Sequence, residues 1–263
     1  MSLLDGIDAV VFDIDGTLLH ANDPGGVRGA HAIPGAIETV ARVRAAGRSV
    51  LFFTNGTGRP PAAYAEDLRS VGFELEDGEF MNPAVVAARW IARNHAGRSV
   101  LVLGGPGVVG PLHDLGIPTV EGAGEVVLVG WDDTLTYAQM RVACESLWAG
   151  APLLATSTAP VFAVDGGPAP GWSGAIAAGL TYMTGVQAMT LGKPAPEALH
   201  EMCAALGVAA ARTLVVGDDV DLEIAMARAA GARAALVLTG ISQAGEADAV
   251  AASVGDLPWF SSS

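Results

Sequence analysis

Asp13 and Asp15 stand one residue apart in the segment DIDGT, directly after the apolar run AVVF. Gly16 and Thr17 complete that segment, and three further polar groups come after apolar runs in the same way. They are Thr54, Asn55 and Gly56 after VLFF, Lys193 after AMTLG, and Gly217, Asp218 and Asp219 after TLVV. In open α/β sheets the ligand crevice lies at the carboxyl ends of the strands, so these four places are where chemistry is expected. Carboxylates from separate strand ends repel one another unless a divalent cation lies between them, and an all-oxygen donor set suits Mg²⁺. The Lys193 ammonium and the amides of a Thr-Asn-Gly turn can hold the outer oxygens of a phosphoryl group. An aspartate can be the nucleophile, forming an acyl phosphate. An acid two residues further on can protonate the leaving oxygen and later activate water.

Such residues need strands that end together. Short β-branched runs alternate with amphipathic stretches of helix length, the signature of parallel strands with crossover helices, so the fold class is α/β. The sequence predicts a strand over 8–12, a helix from near Pro34 stopped by Gly47, the strand RSVLFF, and the helix PAAYAEDLRSVG closed by Gly72. Helix VVAARWIARNHAG, strand SVLVLGG, helix VVGPLHDLG, strand EVVLVGW and helix TYAQMRVACESLWAG form a second α/β unit. A Pro/Gly-rich stretch and helix GAIAAGLTYMTG come next. The closing section runs through strand QAMTLGK, helix PEALHEMCAALG, strand TLVVGDD, helix LEIAMARAAG and strand AALVL. No solenoid repeat or long linker interrupts this order. It divides into a Rossmann-like core, 1–81 and 187–263, and an inserted α/β domain, 82–186.

At 263 residues the chain has room for one large domain or two moderate ones. The formal net charge of −14 and the lack of a basic run exclude sequence-independent nucleic-acid binding and disfavour an anionic membrane surface. With 51% hydrophobic and only 16% charged residues, disorder is excluded. The uncharged runs 146–164 and 166–192 are interrupted by Pro152, Pro160, Pro168 and Pro170, which reads as buried strands and turns rather than a membrane span. Cys144 and Cys203 form no metal-binding spacing, and MSLLDGID lacks the basic start and apolar stretch of a signal peptide, so a cytoplasmic protein is expected. His20, His31, His95, His113 and His200 show no ligand spacing and are assigned to surface or core. Trp131, Trp172 and Tyr182 are read as core aromatics rather than cavity walls. Asp221 is read as a charge favouring the start of its helix.

The order DIDGT, TNG, GKP, GDD resembles the haloacid dehalogenase (HAD) superfamily, specifically its phosphatases. IPGA at 33–36, GKPAPE at 192–197 and VVLVGWDDTLTYAQM resemble the NagD-like, 4-nitrophenylphosphatase-like branch, subfamily IIA, with its large α/β cap. The resemblance spans about Asp8 to Thr239. It implies that Asp13 attacks phosphorus and that Asp15 is general acid and then base. Asp218 would complete a Mg²⁺ site to which Asp13 and the main-chain carbonyl of Asp15 also contribute. Thr54, Asn55 and Gly56 would hold phosphoryl oxygens, and Lys193 would neutralise charge between nucleophile and phosphoryl group. The implied activity is hydrolysis of a small phosphorylated metabolite: a sugar phosphate, glycerol phosphate, phosphoglycolate, nucleotide monophosphate or 4-nitrophenyl phosphate. A phosphotransferase or mutase, and a phosphate-binding or phospho-receiver protein, are the alternatives. Capped relatives often dimerise, which leaves a homodimer open. The chain departs from the branch at Glu223, where a second Asp is usual, at the additional Asp219, at Ala159 in the cap, and in a longer loop over 20–31 expected near the site entrance.

Overall fold

The computed structural model describes residues 2–20, 31–164 and 167–260. The chain divides into two compact units: Met1–Thr54, Tyr64–Met81 and Lys193–Ser263 in the first, Asn55–Ala63 and Asn82–Gly192 in the second. The expected gating role of the loop over 20–31 falls on 21–30, which lie outside the described residues.

The first unit is built on a six-stranded sheet. Its strands lie side by side in the order Ala249–Ala251, Arg233–Val237, Thr213–Gly217, Ala9–Asp13, Ser49–Phe53 and Phe80–Met81, and every pairing is parallel. Ala9–Asp13 and Thr213–Gly217 are buried along their whole length. That explains why they read as unbroken apolar runs: a parallel strand covered on both faces has no solvent side to mark by alternation. The register pairs Phe12 with Val216 and Asp13 with Phe53. Parallel strands in step end in step, so the polar residues after each central strand come out on one edge of the sheet.

One face of this sheet packs Phe12, Phe52, Val10 and Val216 against Val40, Val43, Leu68 and Trp259. The Phe12 and Trp259 rings are 5.8 Å apart, and the indole N–H, which must find an acceptor when buried, donates to Val254 O at 2.7 Å. Leu3 N–H donates to Pro258 O at 2.8 Å, so the two ends of the unit close the same core.

The second unit holds a five-stranded parallel sheet in the order Ala188–Thr190, Leu153–Ala155, Val126–Val129, Val100–Leu103 and Thr119–Val120. Helices Tyr137–Trp148 and Trp172–Thr184 pack Ala143, Leu147, Ile176 and Leu180 against Leu101, Val127 and Leu153. The helix starts are written in the sequence. Asn82 accepts the N–H groups of Ala84 and Val85 ahead of Pro83–Asn94, and Thr136 with Gln139 forms a capping box ahead of Tyr137–Trp148. Thus the fold is α/β, a Rossmann-like core with an inserted α/β cap domain.

Two local readings differ, and a third, the strands and turns of the Pro/Gly-rich stretch, gains detail. The strand at 188–190, grouped by sequence with the closing section, pairs with Leu153–Ala155 in the second unit's sheet. The Pro/Gly-rich stretch forms an antiparallel pair, Val161–Val164 with Gly167–Pro170, where prolines are tolerated because the pair has free edges. Tyr182 is not core: it is 91% exposed, and Trp172 is 39% exposed. Helical periodicity alone cannot tell which turn of Trp172–Thr184 runs past the packed surface. Among the described residues no helix is long and apolar enough to cross a membrane.

Candidate active site

Asp13 ends the central strand and is buried. Its Oδ1 accepts from Lys193 Nζ, while Oδ2 is buried without a hydrogen bond among the described residues. After Asp13 the chain turns sharply. Gly16 has φ of +84°, and a Cβ there would lie 2.5 Å from an Asp218 carboxylate oxygen, so both its backbone angle and its surroundings require glycine. Gly240 guards the other side of that carboxylate, since a Cβ on it would overlap Asp218 Oδ2. Asp218 itself, directly after Thr213–Gly217, accepts Ile241 N–H through Oδ2 at 2.7 Å. Thr239 Oγ1 donates to Gly16 O at 2.5 Å and ties the two loops together.

Four of the sequence-predicted groups therefore meet in the first unit: Asp13, Asp15, Asp218 and Lys193. Thr54, after Ser49–Phe53, joins them by donating from Oγ1 to Asp15 Oδ2 at 3.2 Å. Asn55 and Gly56 fall in the second unit, where Asn82 Nδ2 donates to Gly56 O at 3.0 Å. Three contributors were missed by sequence reasoning. Gly240 and the Ile241 amide come after the apolar strand Arg233–Val237, a strand-end signal of the same kind as the other four. Glu223, noted only as a departure, ion-pairs with Lys193 at 2.5 Å.

Charge crowding sets the electrostatics. Burial pushes the Asp13 carboxyl above the usual range and Asp15 adds to this, while the Lys193 ammonium pulls it back down. For Asp218, burial is again the first cause, with Asp13 and Glu223 next, and it is raised to about 8. Glu223 is raised to about 7, by burial first and with Lys193 opposing. Burial works against the Lys193 charge, but Asp13 and Glu223 outweigh it and hold the ammonium protonated. Asp15 is also raised by the protein packed around it, with Lys193 and Thr54 opposing. Its side chain keeps an exposed face, so water there moderates the shift. A raised carboxyl with access to water has the character of a general acid that can later act as base.

Could these residues hold a divalent metal? One carboxylate oxygen from each of Asp13, Asp218 and Glu223 lies within 4.8 Å of the others. The set is all oxygen, and the orphaned Asp13 Oδ2 is the kind of buried acceptor that a hard cation satisfies. The donors fit Mg²⁺ chemistry.

The pattern of haloacid dehalogenase-like hydrolases matches residues 10–118, and that of HAD-hydrolase-like chains matches 190–257. The chain is 33% identical over 264 residues to chronophin of Homo sapiens, covering 94% of this chain and 86% of that protein. It is 28% identical over 239 residues to the sugar-phosphatase AraL of Bacillus subtilis, covering 90% and 85% respectively. The solved p-nitrophenyl phosphatase from Archaeoglobus fulgidus superposes with a TM-score of 0.85 at 29% identity, covering 95% of this chain and 97% of that one. With the buried aspartates at the ends of the central strands, these likenesses place the chain among the haloacid dehalogenase-like hydrolases, in their NagD-like branch, and make it a phosphoric monoester hydrolase.

Proposed function

We propose that this protein is a Mg²⁺-dependent phosphatase that hydrolyses a small phosphorylated metabolite through an aspartyl-phosphate on Asp13. The observation that carries the reading is the Asp13 carboxylate at the end of the central strand, with Lys193 on Oδ1 and Oδ2 unspent.

In the first half-reaction an Asp13 carboxylate oxygen bonds to phosphorus, the ester P–O bond breaks, and the leaving oxygen takes the proton of Asp15. In the second, Asp15 as carboxylate takes a proton from water, whose oxygen bonds to the same phosphorus. The bond to Asp13 then breaks, and inorganic phosphate leaves. Lys193 stays protonated throughout and balances charge on nucleophile and phosphoryl group. Thr54, Asn55 and Gly56 hold phosphoryl oxygens, and Thr54 also orients Asp15. Asp13, Asp218 and the main-chain carbonyl of Asp15 would hold Mg²⁺, which would supply positive charge to offset that of the carboxylates and the phosphoryl group.

Substrate choice belongs to the insert, 82–186 by sequence, which as a cap admits small esters and excludes phosphoproteins. The likeness to the sugar-phosphatase AraL and to the p-nitrophenyl phosphatase supports a small-ester substrate. Both cysteines are free and buried, in keeping with a reducing cytoplasm.

The test is phosphate release from a panel of sugar phosphates, glycerol phosphate, phosphoglycolate, nucleotide monophosphates and 4-nitrophenyl phosphate, with and without Mg²⁺. Release that needs the metal and falls by more than about 10³-fold in Asp13→Asn is expected. No release from any ester, or an unimpaired variant, would overturn the reading.

A further inference from the structure

Glu223 is buried, ionisable and without a task in the reaction above. It lies in a π-helical turn, Val220–Ile224, in which Ile224 N–H reaches back five residues to Asp219 O at 3.4 Å. Such turns are wider than α-helical ones and concentrate at functional sites. The Glu223 side chain runs across Gly217, where an added Cβ would overlap its Cβ and Cγ and come within 2.8 Å of Cδ. Both carboxylate oxygens are committed: Oε1 to Lys193 Nζ at 2.5 Å, and Oε2 to the Asp219 N–H at 3.0 Å. The acids beside it differ. Asp13 keeps Oδ2 unspent, and Asp218 accepts the Ile241 N–H through Oδ2.

We propose that Glu223 is a positioning residue for Lys193 and stands outside the metal-ligand set. Lysine carries its charge on a flexible four-carbon stem, so a lysine paired with Asp13 alone would settle on the nucleophile and quench it. Glu223 pulls from the other side, and Asp219 N–H fixes Glu223 in turn. The ammonium is thereby preorganised between nucleophile and phosphoryl group. Glycine at 217 is what lets the side chain pass. This proposal rests on the phosphatase reading for what Lys193 does, but its geometry stands independently.

Lys193 is the only lysine in the sequence, so protein grown on ¹³C,¹⁵N-lysine reports this one side chain. The test compares wild type, Glu223→Gln and Glu223→Asp by relaxation of the Lys193 Cε, by titration with Mn²⁺ alone, and by steady-state kinetics. In the wild type the ammonium is ordered. In both variants it becomes mobile, since Gln lacks the charge and Asp lacks the reach. In both, kcat falls about 10- to 100-fold with KM nearly unchanged, and Mn²⁺ affinity stays within about tenfold of wild type. The proposal is overturned if Glu223→Gln loses Mn²⁺ binding by more than about a hundredfold and Glu223→Asp regains it, because that is the behaviour of a ligand. It is also overturned if Lys193 stays ordered in both. The Asp variant decides the matter if the Gln variant does not fold. Wild type that releases no phosphate sinks the phosphatase reading alone, since Lys193 order and Mn²⁺ binding still decide the role of Glu223.

Discussion

Both units are parallel α/β sheets covered by helices, yet they bury different things. Among the described residues, the buried charged side chains Asp13, Lys193, Glu201, Asp218 and Glu223 all belong to the first unit. The buried polar groups of the second unit are hydroxyls and one amide: Thr57, Asn82, Ser146, Thr156 and Ser173. Taking a charge out of water costs several kcal/mol per ion, and a fold carries that cost only where the charges serve a purpose. The three central strands of the second unit, Val100–Leu103, Val126–Val129 and Leu153–Ala155, are followed directly by Gly104, Gly130 and Thr156, none of which carries a charge. One architecture therefore yields a reactive edge or an inert one according to the first one or two residues after each strand.

The largest effect expected from this contrast is in the first unit's chemistry. Asp15→Asn should lower kcat about 10²- to 10⁴-fold for alkyl phosphates, with a much smaller loss for 4-nitrophenyl phosphate, whose leaving group needs no proton. An equal loss across esters would remove Asp15 from the acid role. In the second unit the large effects are in packing. Leu153→Ala should cost about 2 to 5 kcal/mol in denaturant unfolding, equally at low and at neutral pH, because no carboxylate, amine or imidazole lines that core and burial pushes its one thiol, Cys144, up. A pH-dependent loss would erase the distinction.

The first unit's stability should depend on pH when metal is chelated. Asp218 at about 8 and Glu223 at about 7 bind protons more tightly folded than at their ordinary values of 3.8 and 4.5. Their contribution is fully present below the ordinary values and is lost as pH rises through the folded ones. The melting midpoint of chelated protein should fall between about pH 5 and about pH 8, and a divalent cation should restore it. A rising midpoint would contradict the assignment. Smallest is the cap of Tyr137–Trp148: Thr136→Ala should cost about 1 kcal/mol in chemical denaturation, with Gln139 left half-paired.

Much of the reactive edge was legible because parallel strands bring the residues just beyond their ends to one level. Asp13, Thr54 and Asp218 could be assembled from their runs AVVF, VLFF and TLVV before any distance was known. The pairing of Glu223 with Lys193 was not legible. It depends on a π-helical turn, which apolar periodicity does not announce, and on Gly217 being too small to block the path. A helix read from Leu222 onward begins as an α-helix only at Ala225 for the same reason. The strand Ala188–Thr190 carries no mark of which sheet it joins, since Leu191–Gly192–Lys193 leads straight from one unit to the other. Gly240 was overlooked because a glycine after a strand reads as an ordinary turn unless the carboxylate lying against it is known.

With Lys193 as the sole lysine, the other 13 of the chain's 14 Lys and Arg residues are arginine. Guanidinium resists the acylating and glycating reagents that consume amines, and it holds its charge far into alkali. Apart from an α-amino group, amine-directed modification of this protein has one target, and that target sits against the nucleophile. Because that amine is buried and kept protonated by Asp13 and Glu223, it is a poor nucleophile toward acylating reagents, and the one lysine whose loss would stop the catalytic centre is shielded from them by the same contacts that position it.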